Sequence, residues 1–351
     1  MNHIVFRTDS SIDIGAGHVM RCLTLAGALR DREVRSSFLC REREGHLGGL
    51  IQDKGYPVRL VQDENKESII SALKQLEADT GAAVTGLMVD HYELDAEWER
   101  PFYEHLPFVG VIDDLNDRPH FCHFLLDQTF GKEATAYREL VPEGGTVYAG
   151  SRYALLRPEF AALRESSLNR RADLKKVRHI LVTLGGMDRD NVTLVVLKAL
   201  EKIPLPETHE VTVVMGASAP HRDMLAAYLE RSALKARLRV GVENMAELMA
   251  MADFCIGATG STAWERCCLG LPTLQLVVAE NQKTASENLA RFGAAINGGE
   301  AATLTVAGLA EKLRPLLRDM SGLHRISATA ARVCDGRGAE RAAQKIREFL
   351  P

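Results

Sequence analysis

Short apolar runs alternate along the chain with stretches in which apolar residues recur every three or four positions. Residues 3–6 read as a buried strand, and Val19, Cys22, Leu23, Ala26 and Leu29 then mark a helix over 18–29. The same alternation predicts strands at 34–40, 57–61, 84–89, 108–112 and, last and short, 124–126. Helices are expected at 47–52, at 67–77 and from Asp95, a good N-cap. After a polar, strongly charged stretch at 166–176 the pattern restarts. It predicts strands at 179–184, 211–215, 236–240, 254–256 and 273–277, helices between them, and closing helical runs at 304–317, 324–333 and 338–350. Such alternation predicts parallel sheets covered on both faces. The expected fold class is α/β, with two Rossmann-like domains in series, residues 1–165 and 166–351.

The notable chemistry lies where strands turn into helices. Gly15 and Gly17 sit at the first such turn, where glycine allows close approach of a ligand to free N–H groups. His18 falls on the first helical turn, with Arg21 one turn later on the same side. That places a base beside an anion site, although a plain turn with an exposed histidine fits the same residues. Asp9, Asp90, His91, Tyr92, Asp113 and Asp114 follow strands, where ligands bind in such sheets and where aspartates also cap helices. Residues 113–117 could hold a divalent cation through hard oxygens. In the second half, Gly185, Gly186 and Met187 form another strand-to-helix turn. Asp188 and Asp190 beside it resemble the aspartate pair of many metal-dependent nucleotide-sugar transferases, and a capping role explains them equally well. A third turn, Gly257, Thr259, Gly260, Ser261 and Thr262, adds hydroxyls suited to a diphosphate. Glu265, on the helix that follows, could take a pair of ribose hydroxyls or simply complement the helix dipole. Asn281 is a candidate for sugar or phosphate contacts, and Met215 ends a strand of the same half.

Length and composition narrow the class. A chain of 351 residues exceeds what one core usually supports. A net charge of −4 leaves no basic footprint for nucleic acid, and the basic run from Arg170 to Lys176 reads as a solvated linker. Seven cysteines show no metal-ligand spacing and suit a reducing compartment. Met1 leads directly into a strand with no secretory signal pattern, and no apolar run approaches the ~20 residues of a membrane span. A cytoplasmic monomer with no membrane or nucleic-acid partner and no cofactor or metal is expected.

Taken together, Arg7-x-Asp9…Gly15-x-Gly17-His18-x-x-Arg21 resembles the signature of the UDP-2,4-diacetamido-2,4,6-trideoxy-β-L-altropyranose hydrolases of pseudaminic acid biosynthesis. The likeness continues at 40–42, 89–92, 111–114, 153–160, 185–188, in Gly257-x-x-Gly260-Ser261-Thr262-x-x-Glu265 and at 335–338, so it spans the chain in order. The C-terminal pattern is shared with the glycosyltransferase that makes lipid II. The resemblance implies a glycosyltransferase-B architecture, two Rossmann-like domains facing a cleft, with UDP held by the C-terminal half. It implies that water replaces UDP at the anomeric carbon with inversion and without a metal, and that His18 is the base. It also implies sugar-side roles for Asp9, Gly15, Gly17, Arg21, Tyr92, Arg157 and Asn281. UDP contacts are expected from Gly185, Gly186, Met187, Met215, Gly257, Thr259, Gly260, Ser261, Thr262 and Glu265. The partner is then a small UDP-sugar. Rival readings are a UDP-sugar transferase of the same fold, a non-catalytic nucleotide-sugar-binding accessory protein, and a hydrolase for another UDP-linked diamino sugar.

Overall fold

The computed structural model describes residues 2–206 and 209–351. The chain forms two compact units, one of residues 1–157 with 337–351 and one of 158–336.

The first unit is built on a seven-stranded parallel sheet. Its strands are β1 (His3–Thr8), β2 (Arg35–Arg41), β3 (Val58–Val61), β4 (Gly86–Asp90), β5 (Phe108–Ile112), β6 (Phe124–Asp127) and β7 (Thr146–Ala149), in the order β3-β2-β1-β4-β5-β6-β7. Helices α1 (Gly17–Arg30), α2 (Gly48–Asp53), α3 (Lys66–Thr80) and α4 (Ala96–Tyr103) connect them. β1 shows why both faces are covered. Ile4 and Phe6 enter one buried cluster with Val19 and Leu25 of α1, while Val5 points into the other with Ile69 and Leu76 of α3. Asp95 caps α4 as expected, accepting from the amides of Glu97 and Trp98.

The second unit repeats the plan with β8 (His179–Thr183), β9 (Glu210–Met215), β10 (Ala236–Val240), β11 (Phe254–Ala258), β12 (Thr273–Val277) and β13 (Ile296–Glu300), ordered β10-β9-β8-β11-β12-β13. Its helices are α5 (Pro158–Ala172), α6 (Val192–Glu201), α7 (Arg222–Leu229), α8 (Met245–Met251), α9 (Thr262–Cys268), α10 (Lys283–Phe292), α11 (Val306–Leu316) and α12 (Met320–Ala330). Helix α13 (Gly338–Phe349) belongs to the first unit, where Ala342, Ala343 and Ile346 share a core cluster with Val19, Ala26 and Leu29 of α1.

Two expectations need correction. The division falls at Arg157/Pro158 rather than 165/166, because the charged stretch is the end of α5, with Arg171 buried against the second unit's own carbonyls. Residues 337–351 return to the first unit, since the apolar stripe of α13 packs on α1. Each sheet also gains an edge strand. β6 is followed by β7, and the glycine-rich β13 lies beyond β12.

Candidate active site

In both sheets the order reverses beside the first strand, between β1 and β4 and between β8 and β11. The crevice outside the carboxyl ends of strands at such a reversal is where doubly wound sheets bind ligands. Most candidate residues of each unit follow those strands.

In the first unit, Thr8 lies in register with Asp90, so the loops after β1 and β4 are neighbours. The loop after β1 closes on itself: the Gly15 amide donates to Ser11 O, and the Ser11 hydroxyl accepts from the amides of Asp13 and Ile14. Gly15 holds φ +79°, a left-handed conformation that favours glycine. α1 begins at Gly17 with no side-chain cap, so its first-turn N–H groups remain available. A Cβ added at Gly17 would meet nothing within 4 Å.

His18 is buried, and its Nδ1 lies 2.6 Å from Asp90 Oδ1. Asp90 is acceptor-only when ionised, so Nδ1 carries the proton and Nε2 keeps the lone pair. Nε2 bonds to no described residue. Asp90 also accepts from Arg21 Nε and Nη2, both at 2.6 Å, and from Cys22 Sγ at 3.4 Å. Burial alone would raise its carboxyl, but Arg21 and then His18 outweigh it and hold the group well below the usual carboxylate range. Arg21 spends its remaining nitrogen on Asp114, at 2.8 Å. Tyr92, 38% exposed, sets its ring edge-on to His18 at 4.6 Å between centroids. Burial and the nearby Asp114 push its phenol up.

Arg21 and Asp9 were expected at the sugar, and both are instead buried and bonded to protein. Asp9 takes both outer nitrogens of Arg7, the Arg41 amide at 2.7 Å and His91 Nε2 at 3.2 Å. Arg7 also pairs with Glu64. Asp9, Glu64 and His91 have potential ligand atoms within 4.8 Å of one another, and the Arg7 guanidinium supplies the positive charge both carboxylates need. The 113–117 cluster is likewise committed. Asp113 accepts from Arg118, the Asn116 amide and Tyr137, and Asp117 pairs with Arg118. Arg157 stands at the boundary between the two units.

In the second unit, Gly185 (φ +95°) and Gly186 are exposed at the end of β8, with Met187 half-buried. The Gly216 amide donates to Gly186 O at 2.9 Å, a contact so close that a Cβ at Gly216 would sit 2.5 Å from that oxygen. Asp188 bonds the amides of Val192 and Thr193, both at 2.9 Å, so it caps α6. After β11, Gly260, Ser261 and Thr262 open onto α9, and the buried Thr259 hydroxyl has no partner among the described residues. Glu265 lies on the first turn of α9, and Asn281 is exposed in the turn before α10.

Two residues read as UDP contacts have other surroundings. Met215 is buried in the core cluster. Gly257 is buried and makes room for Arg266, whose Nη1 would lie 2.7 Å from an added Cβ. Arg266 is itself buried and donates to Thr262 Oγ1 and Ala258 O. The partnership of Asp90 with His18, the Asp114 link and the Arg266 strut were not anticipated. The one available signal was the strand-end position of Asp90 and Asp114.

No protein-family model matches the chain. It is 28% identical over 83% of its length to the UDP-2,4-diacetamido-2,4,6-trideoxy-beta-L-altropyranose hydrolase of Campylobacter jejuni, covering 97% of that protein. The chain is thus similar to that hydrolase along nearly its whole length. It is also 26% identical to the spore coat polysaccharide biosynthesis protein SpsG of Bacillus subtilis, over 85% of this chain and 84% of that one. An uncharacterised protein of Methanocaldococcus jannaschii, MJ1062, is 26% identical over 80% of the chain, which spans only 56% of that longer relative. Among solved structures, Acinetobacter baumannii MurG superposes with a TM-score of 0.69 at 15% identity, over 99% of this chain and 100% of that one. The calicheamicin glycosyltransferase CalG4 does so at 0.60 and 14%, over 99% and 98%. The fold is therefore of the glycosyltransferase-B type.

Proposed function

We propose that the protein is a UDP-sugar hydrolase that splits UDP-2,4-diacetamido-2,4,6-trideoxy-β-L-altropyranose into UDP and the free sugar on the way to pseudaminic acid. The observation that carries this reading is the His18–Asp90 pair. Asp90 fixes the tautomer in which Nε2 accepts a proton, and it stabilises the imidazolium that results. Water loses a proton to Nε2 and attacks the anomeric carbon, the C–O bond to the diphosphate breaks, and UDP leaves with the bonding pair. A single displacement of this kind inverts the anomeric centre. Negative charge developing on UDP would be met by turn N–H groups at Gly185 and Gly186 and at 260–262, with the Thr259 hydroxyl an added donor. Tyr92 then borders the sugar, while Asp9 and Arg21 act by holding the loops in place.

The kinship with the Campylobacter hydrolase supports the substrate, and the proposed displacement calls on no metal. Purified protein should release UDP from that UDP-sugar in EDTA. His18→Gln should abolish turnover while leaving the affinity for UDP within about twofold. Full turnover by His18→Gln would remove the base from the mechanism.

A further inference from the structure

At the end of the second sheet opposite the glycine turns, β8 and β9 begin beside a cavity of about 440 Å3, within the range of about 300–1,000 Å3 usual for small-molecule sites. Its floor is continuous with the core. Val177, Ile180 and Ile203 belong to the buried cluster of the unit, and Leu317 and Met320 pack against it. Its rim carries Lys175, Lys176, Arg314 and Arg318, all exposed. None of the four forms an ion pair with a described residue, and Arg314 reaches only the Lys202 carbonyl, at 3.4 Å. The basic run read as a linker therefore divides. Arg170 pairs with Asp253, and Arg171 is spent on carbonyls of Leu269, Ala252 and Met249, whereas Lys175 and Lys176 face the cavity. Such a concentration of unpaired positive charge is unexpected in a chain of net charge −4.

A second, independent observation is His209, 8% exposed and part of the cavity lining. Its Nδ1 donates to the Pro206 carbonyl, and its Nε2 is buried with no partner among the described residues. A buried polar atom left unsatisfied is costly unless something binds it. Nε2 can bond a head group in either protonation state, accepting from a hydroxyl or donating to an anion.

We propose that this cavity binds a soluble amphipathic phosphate, a phosphate monoester on an apolar body. Four cations suit a head carrying close to two negative charges better than a carboxylate carrying one. The apolar body lies on the floor, and His209 Nε2 bonds the head. This site is separate from the proposed hydrolytic chemistry and does not depend on it.

The test is calorimetric titration of the full chain with monomeric octyl phosphate, inorganic phosphate and uncharged octyl glucoside. Octyl phosphate should bind one per chain, at least about tenfold more tightly than either control. Arg314→Glu with Arg318→Glu should weaken it at least about tenfold, and His209→Gln should weaken it with UDP affinity unchanged. Equal affinity for inorganic phosphate, or insensitivity to the charge reversal, would overturn the proposal. So would binding to phosphatidylglycerol vesicles without binding to monomeric octyl phosphate, which would make the face a membrane contact.

Discussion

At the scale of single residues the proposed chemistry rests on one buried carboxylate. Asp90 faces His18, Arg21 and Cys22 at once, and Arg21 continues the chain of contacts to Asp114. Asp90→Asn would let the imidazole adopt the wrong tautomer. Turnover should fall about 10²- to 10⁴-fold, the usual worth of general base catalysis, with UDP affinity unchanged by calorimetry. Arg21→Ala leaves a buried charge uncompensated and should destabilise the protein by about 3–5 kcal/mol in urea unfolding. The pH dependence has a definite sign. Asp90 and Asp9 are held below their unfolded values against burial, Asp90 by Arg21 and His18, Asp9 by His91 and Arg7. Their stabilisation is complete above the unfolded carboxylate pKa of about 3.9 and is lost as pH falls below it. The contribution of these carboxylates to the unfolding free energy should be level from neutrality to about pH 5 and drop below about pH 4, with a shallower drop in Asp90→Asn. His18 was legible in the sequence because its signal is local, a glycine turn and a helical register. Its partner lies 72 positions away, and only its place at a strand end hinted at it. That Asp9 and Arg21 are buried against protein partners was hidden for a related reason. Charges at strand ends and on first helical turns look alike in sequence whether they meet substrate or each other.

At the scale of elements, apolar periodicity identified the central strands and the helices between them. It passed over β7 and β13, because edge strands need not be apolar on both faces. Residues 296–300 read Ile-Asn-Gly-Gly-Glu, with little strand propensity, and form a strand through pairing with β12. Some glycines carry information that sequence does not reveal. A Cβ at Gly338 would lie 2.2 Å from Ala154 O, where the start of α13 meets the end of the first unit's sheet region. Gly338→Val should cost at least about 1–3 kcal/mol in urea unfolding. Gly17→Ala is the opposite case: the added methyl meets no protein atom, so stability should hold within about 0.5 kcal/mol or improve. A rise in KM without loss of stability would show that Gly17 is kept for approach to substrate. An unchanged KM would remove Gly17 from contact with substrate.

For the whole molecule, two Rossmann-like units could be read from the repetition of one pattern, whereas the path of the last helix could not. An amphipathic helix advertises an apolar stripe and gives no address for it, and α13 finds its place on α1 in the first unit. All seven cysteines are buried, and burial pushes the thiols of Cys40 and Cys267 up to about 12 and that of Cys255 to about 11. A chromogenic disulfide at pH 8 should label almost no thiol in the native protein and all seven after denaturation. Rapid labelling of the native chain would mean that a thiol opens readily to solvent. The most direct test of the central claim is hydrolysis of the UDP-sugar in oxygen-18 water, followed by mass analysis of both products. Attack at the anomeric carbon by water activated at His18 predicts label in the sugar and none in UDP. Label in UDP would mean attack at phosphorus and would contradict the mechanism.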